Sequence, residues 1–254
     1  MRGYLAMASA EIRLFLREPF SIIFVLVFPL MMMMLLSAVF GNDQDEATAM
    51  ENGMLVWRGV TPVNYYTAAS VAVIIAALGM MTLPINLAGY REQGILKRLR
   101  ASSVPAWTLF SAQLTVAFIT FVAGTIVMAV VAWLVYDAKL PEDPIGVAVA
   151  VILGTITFGA LGLLLAALVD SSRAAQGIGL LLFFGMWLIC GSAPPRAVLP
   201  SGLRDFSDLL PLTHLVIAIQ DPWYGFGWAG TDLAILTGFA VAAAVPALWF
   251  FQWD

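Results

Sequence analysis

Few residues of this chain are equipped for chemistry, and their isolation is informative. His214 is the only histidine and Cys190 the only cysteine in 254 residues. No second histidine or cysteine lies near His214 in the string LPLTHLVI to share a metal with it, so it reads as a structural group. Cys190, inside LLLFFGMWLIC, reads as a buried thiol with no internal disulfide available to it. Asp205, Asp208 and Asp221 fall near His214, and Asp208 with His214 is the pair an external gate would use. The plainer alternative is that these carboxylates are solvated. No G-x-x-x-x-G-K-[ST] phosphate loop occurs, so the chain is not expected to cradle nucleotide phosphates or to be an enzyme itself. The one dense constellation is GYREQGILKRLRAS, Gly89 to Ser102. Read as one helix, it places Ile95, Leu96 and Leu99 on one face and Lys97, Arg98 and Arg100 on the other, with Arg91 at its start. Such a segment suits docking on an acidic protein surface; lipid headgroups are the simpler partner. Glu92 shares the apolar side, where a first-turn carboxylate gains about 0.3–1 kcal/mol from the helix dipole. The alternative is an ion pair with Arg13 or Arg17.

The elements that must position these groups are set by composition. With 61% hydrophobic and 11% charged residues and a mean hydropathy of +0.93, a water-soluble globular domain is excluded. The fold class is therefore an all-α membrane protein. Apolar length predicts six transmembrane spans: Phe20 to Phe40, Tyr65 to Ala88, Trp107 to Tyr136, Ile145 to Val169, Ala174 to Cys190, and Asp232 to Trp253. Alternating the loops puts Arg2, Arg13, Arg17, Arg91, Lys97, Arg98, Arg100 and Arg173 on one side, eight of the 12 basic residues. The positive-inside rule makes that side cytoplasmic, with both termini on it. Trp57, Trp107, Trp133, Trp223, Trp228 and Trp253 fall near span ends, where indole rings favour the interface. The net charge of −4 says little, because the acidic residues collect in loops assigned to the outside. The first apolar run follows Glu18-Pro19 and is too long for a signal-peptide core, so it is expected to stay as a span.

Met1 to Glu18 carries Leu5, Ile12, Phe15 and Leu16 on an apolar side, with Arg13 and Arg17 one turn apart, and reads as an interfacial helix ended by Pro19. Gly191 to Thr231 is broken by Pro194, Pro195, Pro200, Pro211 and Pro222, and reads as a partly re-entrant external segment packed on the spans. Gly154, Gly159 and Gly162, with Gly177 and Gly179, predict close helix approach, and Thr82 an interhelical hydrogen bond. Phe24, Phe28, Met31, Met80, Met81, Phe183, Phe184 and Met186 read first as packing. Their polarisable, adaptable side chains would also suit a route for apolar or amphipathic cargo.

Four strings carry a family resemblance. REPFSIIFVLVFPLMMMMLLSAVFG, GYREQGILKRLRASSVPAWTLFSAQ, LGLLLAALVDSSRAAQGIG and LPSGLRDFSDLLPLTHLVIAIQD occur in this order over nearly the whole chain. Together they resemble ABC type-2 exporter permeases, from whose usual loop Ile95 and Lys97 depart. The resemblance implies a single transmembrane domain, 1–254, paired with a second permease chain in a homodimer or heterodimer within a bacterial plasma membrane. It implies cytoplasmic ABC ATPase subunits that carry ATP and Mg, no cofactor bound by this chain, and no nucleic acid. It casts residues 89–104 as the coupling loop, and so Arg91, Glu92, Ile95, Leu96, Lys97, Arg98, Leu99 and Arg100 as ATPase contacts. It places the cargo path along spans one, two and five, which selects the Phe and Met residues named above. The cargo it implies is a drug, an antibiotic or a lipid, in keeping with multidrug or antibiotic resistance.

Two other function classes compete. A secondary transporter driven by an ion or proton gradient would need an ionisable residue within the membrane, and the six spans carry none near their centres. A membrane-embedded enzyme acting on lipid headgroups would need clustered His, Asp or Glu, which a single histidine does not supply.

Overall fold

The computed structural model describes residues 13, 22–41, 46–101 and 106–250. Apolar runs too long for anything but helix dominate it. In hydrocarbon only a helix or a closed barrel satisfies every backbone N–H and C=O. The first helix enters through a π-turn at Ile23–Val27 and continues as α1 (Phe28–Phe40). A two-stranded hairpin follows, β1 (Met50–Glu51) against β2 (Met54–Leu55), paired Met50 to Leu55 and Glu51 to Met54. Then come α2 (Pro62–Ala77), a second π-turn (Leu78–Thr82) and α3 (Leu83–Glu92), which form one rod of 31 residues, about 46 Å long. After it lie the short α4 (Ile95–Ala101), α5 (Ala106–Tyr136), α6 (Pro144–Leu168) and α7 (Ser172–Ile189). A 3-10 turn (Arg196–Val198), α8 (Ser201–Ser207), α9 (Pro211–Trp223) and α10 (Gly230–Phe250) complete the chain.

Five of these helices are long and apolar enough to cross a bilayer: Pro62–Glu92, Thr115–Tyr136, Pro144–Leu168, Ser172–Ile189 and Gly230–Phe250. The expected first span is represented by the shorter apolar helix Val25–Phe40. The interfacial helix expected over Met1 to Glu18 lies outside the described residues except at Arg13, which is helical and exposed.

The rod is the axis of the fold. Every residue from Thr61 to Pro84 is buried, wrapped by α1, α5, α6, α7 and α9. This explains an apolar sequence with no polar stripe: a helix surrounded on all sides has no face to leave polar. Pro84 lies near its lower end. Lacking an N–H, Pro84 leaves the Met80 carbonyl without its usual partner, and the residue before it, Leu83, donates five positions back to Leu78 O. The same arrangement occurs in the first helix, where Phe28 precedes Pro29 and donates to Ile23 O.

Glycines on neighbouring helices accommodate the widened turn. A Cβ on Gly162 of α6 would lie 2.0 Å from Gly79 O, and one on Gly179 of α7 would lie 2.3 Å from Met80 O. Of the glycines expected to allow close approach, Gly162 and Gly179 do so against the backbone of α2–α3 and Gly154 against the Leu215 side chain of α9, whereas Gly177 has nothing within 4 Å. The expectation for Thr82 fails: its Oγ1 is buried with no hydrogen-bond partner among the described residues. Elsewhere Thr157 Oγ1 shares its hydrogen between Leu153 O of its own helix at 2.8 Å and Leu236 O of α10 at 3.1 Å, where α6 and α10 meet.

Gly162→Ala and Gly179→Ala should each lower the thermal midpoint in detergent, with a cost of at least about 1–3 kcal/mol, since backbone and not a flexible side chain must yield. Gly238→Ala on α10, whose Cβ meets nothing within 4 Å, should be neutral or stabilising by up to about 1 kcal/mol. Equal midpoints for all three would refute the close-packing account.

Candidate functional site

At one end of the rod, Gly94 adopts φ +66° and ends α3; its N–H donates to Arg91 O at 3.0 Å, while Gln93 N–H donates to Gly89 O at 3.0 Å. The chain turns sharply into α4. Leu96 is 1% exposed and packs with Leu83, Leu87 and Ala166, next to Tyr90 and Leu163. The apolar face of α4 is thus held against the protein's own helices through Leu96, with Ile95 half-buried and Lys97 and Arg98 exposed. The side chains of Leu99 and Arg100 lie outside the described residues.

Two residues of this segment do something other than the amphipathic pattern suggests. Arg91 turns inward: its Nη1 donates to Ala166 O at 3.2 Å and Val169 O at 2.9 Å, carbonyls at the C-terminal end of α6. A cation there complements both the unpaired carbonyls and the helix dipole. Glu92 is not in a first turn at all. It closes α3, and its Oε2 accepts a 2.7 Å hydrogen bond from Ser172 Oγ at the start of α7. Ser171 caps α7 by accepting from Ala174 N–H at 3.1 Å, so the elbow is fastened to the α6–α7 junction.

Of the residues selected for a cargo route, Phe28 joins α1 to α7 through edge contacts with Phe183, Phe184 and Trp187 at centroid distances of 6.3, 5.5 and 5.1 Å. Met80, Met81, Phe183 and Met186 are buried within the chain, Met80 and Met81 inside the π-turn. Met31 is on the surface, in a stripe with Ile23, Val27, Leu35 and Val39 at every fourth residue. The side chain of Phe24 lies outside the described residues.

At the opposite end of the rod, the proposed gate residues do meet, though not as two side chains. His214 Nδ1 is 2.7 Å from Asp232 Oδ1, and its Nε2 is 2.8 Å from the backbone oxygen of Asp208, whose carboxylate pairs with Arg196. Nearby, Arg58 pairs with Asp221, donates from Nη1 to Gln220 Oε1 at 3.0 Å and lies 5.6 Å from the Phe226 ring centroid. Tyr65 donates to Gly191 O at 2.7 Å and Tyr66 to Ala193 O at 3.1 Å. Asp143 caps α6 by accepting from Ile145 and Gly146 N–H, and accepts from the Trp228 indole at 2.6 Å. The Gly146 N–H above all, then the Trp228 indole, hold its carboxyl below the usual carboxylate range.

A family model for the ABC-2 type transporter matches residues 2–222. The chain belongs to the ABC-2 type transporter family. It is a multi-pass membrane protein and a permease component of an ABC system. No curated protein matches it. The match to the ABC-2 family runs from the N-terminal region to α9 and so takes in the rod, the elbow at Gly94 and the α6–α7 junction, while α10 lies beyond it. Reasoning from sequence missed Ser172, Asp232 and Asp143 as partners holding these two ends. Only Asp143 had a local signal, as an Asp-Pro pair opening an apolar run, where an N-cap is expected.

Arg91→Ala should cost about 1–2 kcal/mol in thermal or denaturant unfolding because two carbonyl contacts at the end of α6 are lost. Glu92→Gln should stay within about 0.5 kcal/mol of wild type, since the site is exposed and an amide oxygen still accepts from Ser172. Equal effects would show that Arg91 does not serve as the cap. For Asp143, whose folded-state pKa is depressed, the stabilisation is fully present above the unfolded value of about 3.9 and is lost as pH falls through the lower folded value. The midpoint difference between wild type and Asp143→Asn should therefore be constant from pH 7 to about 5 and shrink below about 4; a difference that grows on acidification would contradict the assignment.

Proposed function

We propose that this chain is the transmembrane permease subunit of an ATP-driven ABC exporter, moving an apolar or amphipathic compound such as a drug, an antibiotic or a lipid outward. ATP and Mg would be handled by separate ABC ATPase subunits docking at the elbow, on the cytoplasmic side of a bacterial plasma membrane. The observation that carries this reading is the elbow within the family-matched region: a short helix held by Leu96 and presenting Lys97 and Arg98 outward. A basic surface fixed to a buried rod suits transmission of a push from an acidic partner. The positive-inside rule supports the same side for the partner. Leu96 serves the fold here, so the exposed pair Lys97 and Arg98 becomes the better probe of docking.

In this reading a second permease chain completes the translocation path, and the outward stripe of α1 with the aromatic contact between α1 and α7 lies along it. Met31 is the path residue already at a surface; Met80, Met81, Phe183 and Met186 would be reached only as helices separate.

Wild-type chain, co-expressed with its cognate ABC ATPase and purified in nanodiscs, should retain the ATPase. The Lys97→Glu/Arg98→Glu variant should lose at least about tenfold of it, at an unchanged thermal midpoint, through like-charge repulsion at the contact. Full retention by the charge-reversed variant would reject the elbow as the docking surface. Absence of any ATPase from the wild type, with cargo movement following a proton gradient, would reject the exporter reading itself.

A further inference from the structure

At the end of the bundle away from α4, a cavity of about 250 Å³ lies between the β1–β2 hairpin, the start of α2, the Arg196–Val198 turn and α9. Its chemistry is divided. The two ionisable cations on its wall are Arg58 and Arg196, whereas their carboxylate partners Asp221 and Asp208 are not part of the lining. Much of the remainder is apolar, contributed by Leu55, Val56, Val216 and Ile217.

The guanidiniums are fixed but not fully used. Arg58 is held by Gln220, Asp221 and the Phe226 ring, so its orientation is set in advance. Arg196 pairs with Asp208 through Nη2, while its Nε is buried and has no hydrogen-bond partner among the described residues. That N–H is closed off from the cavity as well, so what Arg196 offers a ligand is the rest of its guanidinium, on a side chain that the pair with Asp208 leaves 21% exposed. Tyr65, also on the wall, has its hydroxyl hydrogen committed to Gly191 O and does not compete as a donor.

Size narrows the ligand further. The cavity is smaller than the roughly 300–1,000 Å³ of sites that enclose drug-sized molecules. It therefore takes a head group and its first carbons, with any longer chain leaving past the exposed Leu55 at the rim. We propose that this cavity binds the anionic head of an amphiphile, a phosphate or carboxylate received by Arg196 and Arg58, with its first carbons against Leu55, Val56, Val216 and Ile217. Phosphate and carboxylate match the planar donor fork of arginine, and the apolar wall excludes a bare hydrated ion. The site does not depend on what energises transport, so it stands or falls separately from the exporter reading.

The test uses the purified chain in phosphatidylcholine nanodiscs and n-hexyl phosphate as the probe, with binding to empty nanodiscs subtracted. Saturable binding is expected, weakened at least about tenfold by Arg196→Gln through loss of a charge-assisted contact. Leu55→Glu, at an exposed position, should weaken it similarly by placing a carboxylate beside the ligand, and it decides the matter if Arg196→Gln fails to fold. Hexanol and inorganic phosphate should each bind at least about tenfold more weakly than hexyl phosphate. No saturable binding, binding unchanged in both variants, or inorganic phosphate binding as tightly as hexyl phosphate would overturn the proposal. Adding phosphatidylglycerol to the nanodiscs separates the sources: suppression of probe binding supports the site with a bilayer lipid as occupant, and unchanged binding supports it with a free anionic amphiphile.

Discussion

The structure depends on one constraint: a rod of 31 residues, α2 through α3, enclosed by its own chain in a setting where backbone polar groups have no water to turn to. An uninterrupted α-helix meets that constraint by itself. This one contains Pro84 and does not, so the Met80 carbonyl must be accommodated by other helices. Gly179 and Gly162 can do so because nothing larger than hydrogen stands between their backbones and the carbonyls of Met80 and Gly79. The positions of α6 and α7 thus follow from a break in a helix neither of them belongs to.

The two ends of the rod are held by different physics. At the Tyr65 end a collar of neutral hydrogen bonds and ion pairs gathers: the Tyr65 carbonyl faces Tyr224 Oη at 3.2 Å, Asn64 Oδ1 accepts from Lys139 N–H at 2.8 Å, and Arg58 pairs with Asp221. These contacts bring α9 and the loop before α6 onto the start of α2. At the Gly94 end the hold is mostly apolar, Leu96 against Leu83, Leu87 and Ala166, supplemented by Arg91 at the carbonyls closing α6. A displacement of α4 therefore acts on α3 directly and reaches α6 through the cluster that Leu96 shares with Leu83, Leu87 and Ala166.

Much of this was legible where a short stretch of sequence suffices. Apolar length located the helices to within a few residues: Tyr65 to Ala88 was expected and Pro62–Glu92 is found, Ile145 to Val169 was expected and Pro144–Leu168 is found. The burial of Cys190 also followed from its place in an apolar run, and His214, which has no second histidine or cysteine near it in sequence, is buried and bonded to Asp232 and the Asp208 backbone. What failed was local in appearance but tertiary in cause. Arg91 counted as part of the positive charge opening the loop, because nothing nearby in sequence announces the carbonyls of Ala166 and Val169. Glu92 was given to the following helix although Gly94 carries a stop signal, a glycine able to take positive φ after a helix. Thr82 looked like a hydrogen-bond donor to a neighbour; its buried hydroxyl instead has no partner among the described residues. Asp232 as the partner of His214 required knowing that α9 and the start of α10 lie side by side.

The π-turn also determines where the rod has least resistance of its own. Along α2 each turn is closed by regular bonds, and at the far end the Tyr65 collar adds side-chain ties. Between Leu78 and Pro84 the ladder is lengthened by one residue and lacks a donor, so the intrinsic hydrogen bonding is weakest there. Compensation comes from Gly79, Gly162 and Gly179, whose close contacts are short-ranged and are forfeited over a fraction of an ångström. A relative movement of the two ends would accordingly concentrate its bending at this turn while α2 and α3 stayed straight. The matching interruption at Phe28-Pro29 in the first helix, beside the aromatic contacts of Phe28 with α7, gives α1 a corresponding weak point. Two adjacent helices carrying the same kind of interruption can change direction without either surrendering the backbone bonds that keep it in the membrane.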